Sequence, residues 1–271
     1  MAKSEKEKRL LEDDIKALLI EHLRQKGDIS KDSVIINELT IDDFSGRADL
    51  VVADDSGLYA YEIKSEADSL LRLENQIARY AQFFDKVVIV AASKHIPNIL
   101  EMVSDAVAVW SVSDEGFKIV QRGKTLKKQE IASLLKLMKV RELKKLASKV
   151  GRAPEVVRRA LLEAVLYDVS RAKVREAAIQ ALRERYCHSS KHFWRITNRG
   201  VKPHHIIELS PYLAEKRRIE RLEAEQKMFW ERWSEEIKKL PDDPLLFDLF
   251  KEEQENLFGE VPASIKNLLA A

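Results

Sequence analysis

Arg47-Ala48-Asp49-Leu50-Val51-Val52-Ala53-Asp54-Asp55-Ser56-Gly57-Leu58-Tyr59-Ala60-Tyr61-Glu62-Ile63-Lys64 is the stretch that decides the fold class. Two apolar runs, 48–53 and 58–64, flank Asp-Asp-Ser-Gly, a hairpin-turn signal, so the stretch reads as two antiparallel strands. Successive strand residues point to opposite faces, which puts Glu62 and Lys64 on one face and Tyr61 and Ile63 on the other. Asp49, Glu62 and Lys64 thus interrupt positions where the pattern asks for burial. Pairing of the two strands brings Asp49 and Glu62 close together. At ~4 Å and an effective dielectric of ~20 their repulsion is on the order of 4 kcal/mol. A cation must offset it, either Lys64 or a divalent metal with oxygen ligands.

Upstream, residues 4–26 carry Leu11, Ile15, Leu18, Leu19 and Leu23 at helical spacing, with Gly27 as a stop. A strand over 34–39 and a polar turn over 40–46 follow. Downstream, 69–85 reads as a helix with Leu70, Leu73, Ile77, Tyr80 and Phe84 on one face. Gln76 shares that buried side. Runs 86–92 and 106–112 read as strands joined by a helix over about 96–104. This order predicts an α/β domain with a mixed sheet flanked by helices, at residues 1–122. Gly123 and Lys124–Lys128 mark a junction. Beyond it the pattern is all-helical (130–139, 140–150, 154–167, 171–185), then a basic, irregular stretch over 187–209. Ser210-Pro211 caps a long helix reaching about Leu240, and an amphipathic piece spans 245–258. The expected second domain is 123–271.

Asp49-x12-Glu62-x-Lys64 resembles the PD-(D/E)XK nuclease superfamily, with Ala48 in place of the proline of its name. Gln76-x3-Tyr80 on the following helix resembles the extra motif of the RecB-like branch, and Glu38 falls where many members carry a further carboxylate. Together with Arg47 and Tyr61-Glu62-Ile63-Lys64 these residues are similar to a bacterial and phage family within that superfamily, over about residues 10–112. The resemblance implies a restriction-endonuclease-like fold. It implies a catalytic set of Asp49, Glu62, Lys64, Gln76 and Tyr80. It further implies Mg²⁺, or Mn²⁺, bound by Asp49 and Glu62, and a lysine that assists the attacking water.

The residues support the same chemistry directly. Phosphodiester cleavage needs a metal to polarise a phosphoryl oxygen and activate a water. Asp49 and Glu62 supply hard oxygen ligands, the Ile63 carbonyl adds another, and Lys64 can neutralise charge in the transition state. The alternative is a buried Glu62–Lys64 ion pair beside an exposed Asp49. Such pairs seldom stabilise more than apolar packing does, so one in a core strand asks for a reason.

The net charge of +2 hides an asymmetry. Residues 1–117 carry roughly −9, residues 118–221 roughly +17 and residues 222–271 roughly −6. A basic middle third suits a polyanion, and DNA is the expected partner. Residues 143–166 have helix-turn-helix spacing, with Ala147, Gly151 and Val157 at its marker positions and Pro154 starting a second helix that bears Arg158 and Arg159. Arg152 stands where that motif prefers an apolar residue, and a plain αα-hairpin is the alternative. Lys191, Arg195, Arg199 and Lys202, interleaved with Phe193 and Trp194, suit unpaired bases and phosphates, or else a loop pinned to the core. Arg47 completes the expected nucleic-acid-binding set. Cys187, His188, His192, His204 and His205 match no tight zinc spacing. Ile219, Leu222, Phe229, Trp233, Ile237 and Leu240 form one stripe of the last long helix, for packing or self-association. A lone cysteine, a charged N-terminus and the lack of long apolar runs point to the cytoplasm and away from a membrane.

A runner-up function is a nuclease-like fold that only binds DNA, as a regulatory module.

Overall fold

The computed structural model describes residues 9–41, 46–126, 129–152 and 157–237. Its centre is a six-stranded mixed sheet in the order β1 (Val34–Ile41), β2 (Gly46–Ala53), β3 (Leu58–Lys64), β4 (Lys86–Ala92), β5 (Ala108–Ser113), β6 (Gly116–Gln121). β1, β2 and β3 form an antiparallel meander, β3, β4 and β5 run parallel, and β6 turns back antiparallel. The β2–β3 turn forms as the sequence predicts. Asp54 Oδ1 accepts the N–H groups of Ser56 (2.8 Å) and Gly57 (3.1 Å), closing the hairpin with its own side chain.

One face carries α1 (Glu12–Lys26). Its acidic first turn and basic last turn suit the helix dipole, and Gly27 ends it at φ 76°. The other face carries α2 (Leu73–Tyr80) and α3 (Ile96–Met102). The sixth strand has no counterpart in the expected order. Asp114-Glu115 turns β5 directly into it, with Ser113 opposite Gly116.

The boundary expected at 122/123 does not divide the core. α4 (Ile131–Lys136), α5 (Val140–Lys149), α6 (Arg159–Leu166) and α7 (Arg171–Ile196) share one apolar core with β1–β5, α2 and α3. The chain separates instead into units 1–211 and 212–271. Arg175 of α7 binds Asp85 through two contacts (3.2 and 2.8 Å) and also reaches the Ser56 carbonyl (3.3 Å). Asp85 in turn accepts the Leu58 N–H at 2.8 Å. Gly57 leaves room for this latch, because a Cβ there would lie 2.5 Å from Asp85 Oδ2.

α7 is eleven residues longer than the expected helix and absorbs the start of the stretch read as irregular. Phe193 and Trp194 are buried against α1 and β1–β5, and the Trp194 Nε1–H donates to the Ser33 carbonyl at 3.1 Å. Ser190 Oγ accepts the Ile35 N–H at 3.0 Å, which closes the β1 edge of the sheet. The core-pinning alternative for these aromatics is therefore the one realised. Base stacking by Phe193 and Trp194 is ruled out by their burial.

The second unit is described only through α8 (Pro211–Ile237). Ion pairs Lys216–Glu220, Arg221–Glu225 and Lys227–Glu231 run along it at i, i+4 spacing. Of the expected stripe Trp233 is buried, whereas Ile219 and Leu222 are 46% and 48% exposed. Leu240 and the 245–258 piece lie outside the described residues. Among the described residues no helix is long and apolar enough to cross a membrane.

Candidate active site

β2 and β3 pair from Ala53↔Leu58 to Leu50↔Tyr61, and the ladder stops there. The next residue on β2 is Asp49, and its carboxylate accepts the Ile63 N–H at 2.7 Å. A side chain thus takes over where main-chain pairing ends, and the two strands part into a fork. Glu62 lies on the α2 side of that fork, 1% exposed, with Lys64 beside it. Lys64 Nζ donates to Glu62 Oε1 (2.7 Å) and to Gln76 Oε1 (3.2 Å). The Tyr80 hydroxyl lies 2.8 Å from Glu62 Oε2 and 2.5 Å from the Arg47 carbonyl oxygen. Its single proton can serve only one of these acceptors at a time. Glu62, Lys64, Gln76 and Tyr80 form one hydrogen-bonded cluster, and Asp49, held by the Ile63 N–H, lies near enough for the Glu62 charge to act on it.

Burial pushes the Asp49 carboxyl up to about 7, and the Glu62 charge adds to the shift, against the opposing Ile63 N–H. Burial and the Glu62 charge also push the Tyr80 phenol up, so it stays protonated and acts as a donor.

Glu38 does not join the cluster. It adopts φ +59° in β1 and pairs with Arg47 at 3.4 Å, both side chains largely exposed. Among the described residues no three His, Cys, Asp or Glu side chains gather as a metal-holding group. The carboxylate pair Asp49 and Glu62 still suits Mg²⁺, a hard cation that keeps several waters and takes one or two carboxylates plus phosphate oxygens.

A profile of the bacteriophage P4 protein cII family matches residues 5–210. The chain belongs to the bacteriophage P4 cII family. Protein cII of Enterobacteria phage P4 is 36% identical over 189 residues, covering 68% of this chain and 71% of that protein. Among solved structures, the SPO1766 protein of unknown function from Silicibacter pomeroyi is 16% identical, over 44% of this chain and 75% of that one. Its TM-score is 0.34, and that overlap carries no argument about fold or function.

The basic residues expected to meet nucleic acid in this cII-family chain differ in their contacts among the described residues. Arg159 donates to the Met138 (2.9 Å) and Leu135 (3.3 Å) carbonyls and pairs with Glu163 (2.8 Å), so it holds α4 and α6 together. Arg152 donates to the Val165 carbonyl at 3.2 Å, and Arg195 contacts His192 at 3.0 Å. Arg158, Lys191, Arg199 and Lys202 are exposed. The helix-turn-helix expectation fits poorly. Gly151 turns at φ +70°, but α6 starts at Arg159, Val157 is 42% exposed where an apolar contact was expected, and Pro154 lies outside the described residues.

Sequence reasoning missed the α1 side of the fork. Lys16 is 1% exposed and donates to Asn37 Oδ1 at 2.8 Å while pairing with Glu12 at 2.5 Å. The charges of both Glu12 and Lys16 act on Asp49. Asp13, close by, has its carboxyl raised by burial. The signal lay in the sequence, as a lysine at position 16 in register with Ile20 and Leu23 on the buried stripe.

Proposed function

We propose that this chain is a metal-dependent nuclease of restriction-endonuclease-like fold that cleaves phosphodiester bonds in nucleic acid, with DNA as the substrate. The observation that carries the reading is Asp49 held by the Ile63 N–H within reach of the Glu62 charge, with Lys64 bonded to Glu62 and Gln76. Asp49 and Glu62 would hold Mg²⁺ or Mn²⁺, which supplies Lewis-acid polarisation of a phosphoryl oxygen and an activated water. Two of the three Lys64 ammonium protons bond to Glu62 and Gln76, and the third is left for water or a phosphoryl oxygen. Gln76 and Tyr80 fix Lys64 and Glu62 in place. Arg158, Lys191, Arg199 and Lys202 are exposed cations that would meet phosphates, and α8 is a candidate for self-association.

Labelled single- and double-stranded DNA and RNA, incubated with purified protein in Mg²⁺, Mn²⁺ or EDTA, test the reading. Cleavage that needs a divalent metal supports it. No cleavage of any of the four substrates with either metal rejects it.

One observation favours the second reading, a DNA-binding module without catalysis. Both Glu62 oxygens already bond to protein donors, Lys64 and Tyr80, so the cluster is internally satisfied. Binding in EDTA together with no cleavage would select that reading.

A further inference from the structure

Lys16 is the one lysine in the buried stripe of α1, among Ile15, Ala17, Leu19, Ile20 and Leu23. An apolar side chain would fit that stripe without the desolvation that a buried ammonium suffers. α1 packs on the face of the sheet that carries Ile35, Leu50, Tyr61 and Ile63, whereas Glu62 and Lys64 meet α2 on the opposite face. Lys16 and Lys64 therefore approach the fork from its two sides.

The partner of Lys16 is placed tellingly. Asn37 pairs with Leu50, the residue after Asp49, and pairing resumes at Leu39 and Ala48, so the register skips Glu38 and Asp49. At that step β1 takes the left-handed conformation of Glu38, which a side-chain-bearing residue adopts only under constraint. The Lys16–Asn37 bond clamps β1 one residue before the kink. It thereby holds the β1 residue that pairs with Leu50, next to Asp49.

We propose that Lys16 is a positioning residue of the site, holding β1 through Asn37 so that Asp49 keeps the place from which it can bind a divalent cation. The inference rests on the metal-dependent reading above, and it names a residue outside the motif that suggested that reading. Lys16 touches no substrate, since it is buried.

The test is thermal melting of the full chain with EDTA or with Mg²⁺ alone, comparing wild type with the double variant Lys16→Met/Asn37→Leu. Replacing both partners avoids leaving the Asn37 amide unpaired. In EDTA the variant is expected to melt at the wild-type temperature or above. Mg²⁺ is expected to raise the wild-type melting temperature by preferential binding to the folded state. The variant's apparent Mg²⁺ affinity, read from the same shift, is expected to be at least about tenfold weaker. The comparison is made at about pH 9, where Asp49 is ionised in both proteins; there charge alone predicts the opposite, because deleting a cation beside Asp49 should tighten metal binding.

A variant whose Mg²⁺ shift equals or exceeds that of wild type overturns the proposal and leaves the metal site standing. A variant that melts below wild type in EDTA also overturns it, by reducing Lys16 to a structural tie. A wild type with no Mg²⁺ shift removes the metal reading, and this inference with it. Should the double variant not fold, Lys16→Met alone is scored on the Mg²⁺ shift.

Discussion

The Asp49 carboxylate accepts the Ile63 N–H at the point where β2 and β3 stop pairing, and this bond anchors the side chain at the end of the ladder. A carboxylate committed in this way can turn only slightly. Burial, with the Glu62 charge adding to it, pushes that carboxyl up to about 7. The strain of two neighbouring carboxylates is local, and it gives the first prediction.

Stability is expected to fall as pH rises from about 5 to 8. The folded-state value of Asp49 lies above its ordinary 3.8, so the folded chain binds the extra proton, and its stabilisation is lost as pH climbs through about 7. The change between pH 5 and pH 8 is on the order of 2–3 kcal/mol. Asp49→Asn should flatten that slope and melt above wild type at pH 8. Denaturant titrations at both pH values measure it, and an unchanged slope in Asp49→Asn contradicts the assignment.

Lys64→Ala and Asp49→Ala should both abolish cleavage but differ in binding. Losing a charge-stabilising or proton-transfer group typically lowers the rate by ~10²- to 10⁴-fold. Lys64→Ala is expected to keep metal and DNA affinity, and Asp49→Ala to lose metal affinity as well. Calorimetry with Mn²⁺ separates the two. An activity that survives Asp49→Ala marks a contaminating enzyme.

DNA affinity should drop steeply with salt, because each phosphate contact by Lys or Arg releases counterions. Charge reversal at Arg158, Lys191, Arg199 or Lys202 should lower both affinity and salt slope. Arg159→Glu should instead unfold α6 locally, since its guanidinium holds the Met138 and Leu135 carbonyls. Fluorescence anisotropy across a salt series checks the first effect. Equal slopes in all four exposed variants would remove them from the interface.

Asp85→Ala should destabilise the fold by roughly 2–4 kcal/mol, because it leaves the Leu58 N–H unpaired and Arg175 without its partner. Gly57→Ala should act on the same latch by crowding Asp85 Oδ2. Chemical denaturation is the measurement. A loss below about 0.5 kcal/mol for Asp85→Ala would mean that the latch is idle.

The strands around Asp49, Glu62 and Lys64 were legible because alternation and a strong turn fix register within a few residues. Helical spacing put Gln76 and Tyr80 on the buried side of their helix, and the resemblance named them as site residues. Lys16 and Asn37 were hidden, because a lysine on a helix and an asparagine on a strand look solvent-facing until the fold buries them together. The β6 strand escaped since Asp114-Glu115 resembles a loop of charges. The full length of α7 escaped because its last turns bury Phe193 and Trp194 on one face while Lys191 and Arg195 stay outside. The helical segments looked like a separate domain because their charge differs from that of the first third. Charge reports the surface, whereas Leu134, Leu146, Leu162 and Val174 belong to the same core as the sheet.

Ser190 and Trp194 close the β1 edge across 155 and 161 residues of chain. During synthesis at about 5–20 residues per second, that edge waits on the order of 10–30 s for its cover. Every motif residue of the fork has left the ribosome long before then. Over that interval the nascent sheet presents an unpaired strand, and a neighbouring chain on the same message could pair with it. Timing at the ribosome, or a chaperone, therefore guards this fold as much as its finished contacts do.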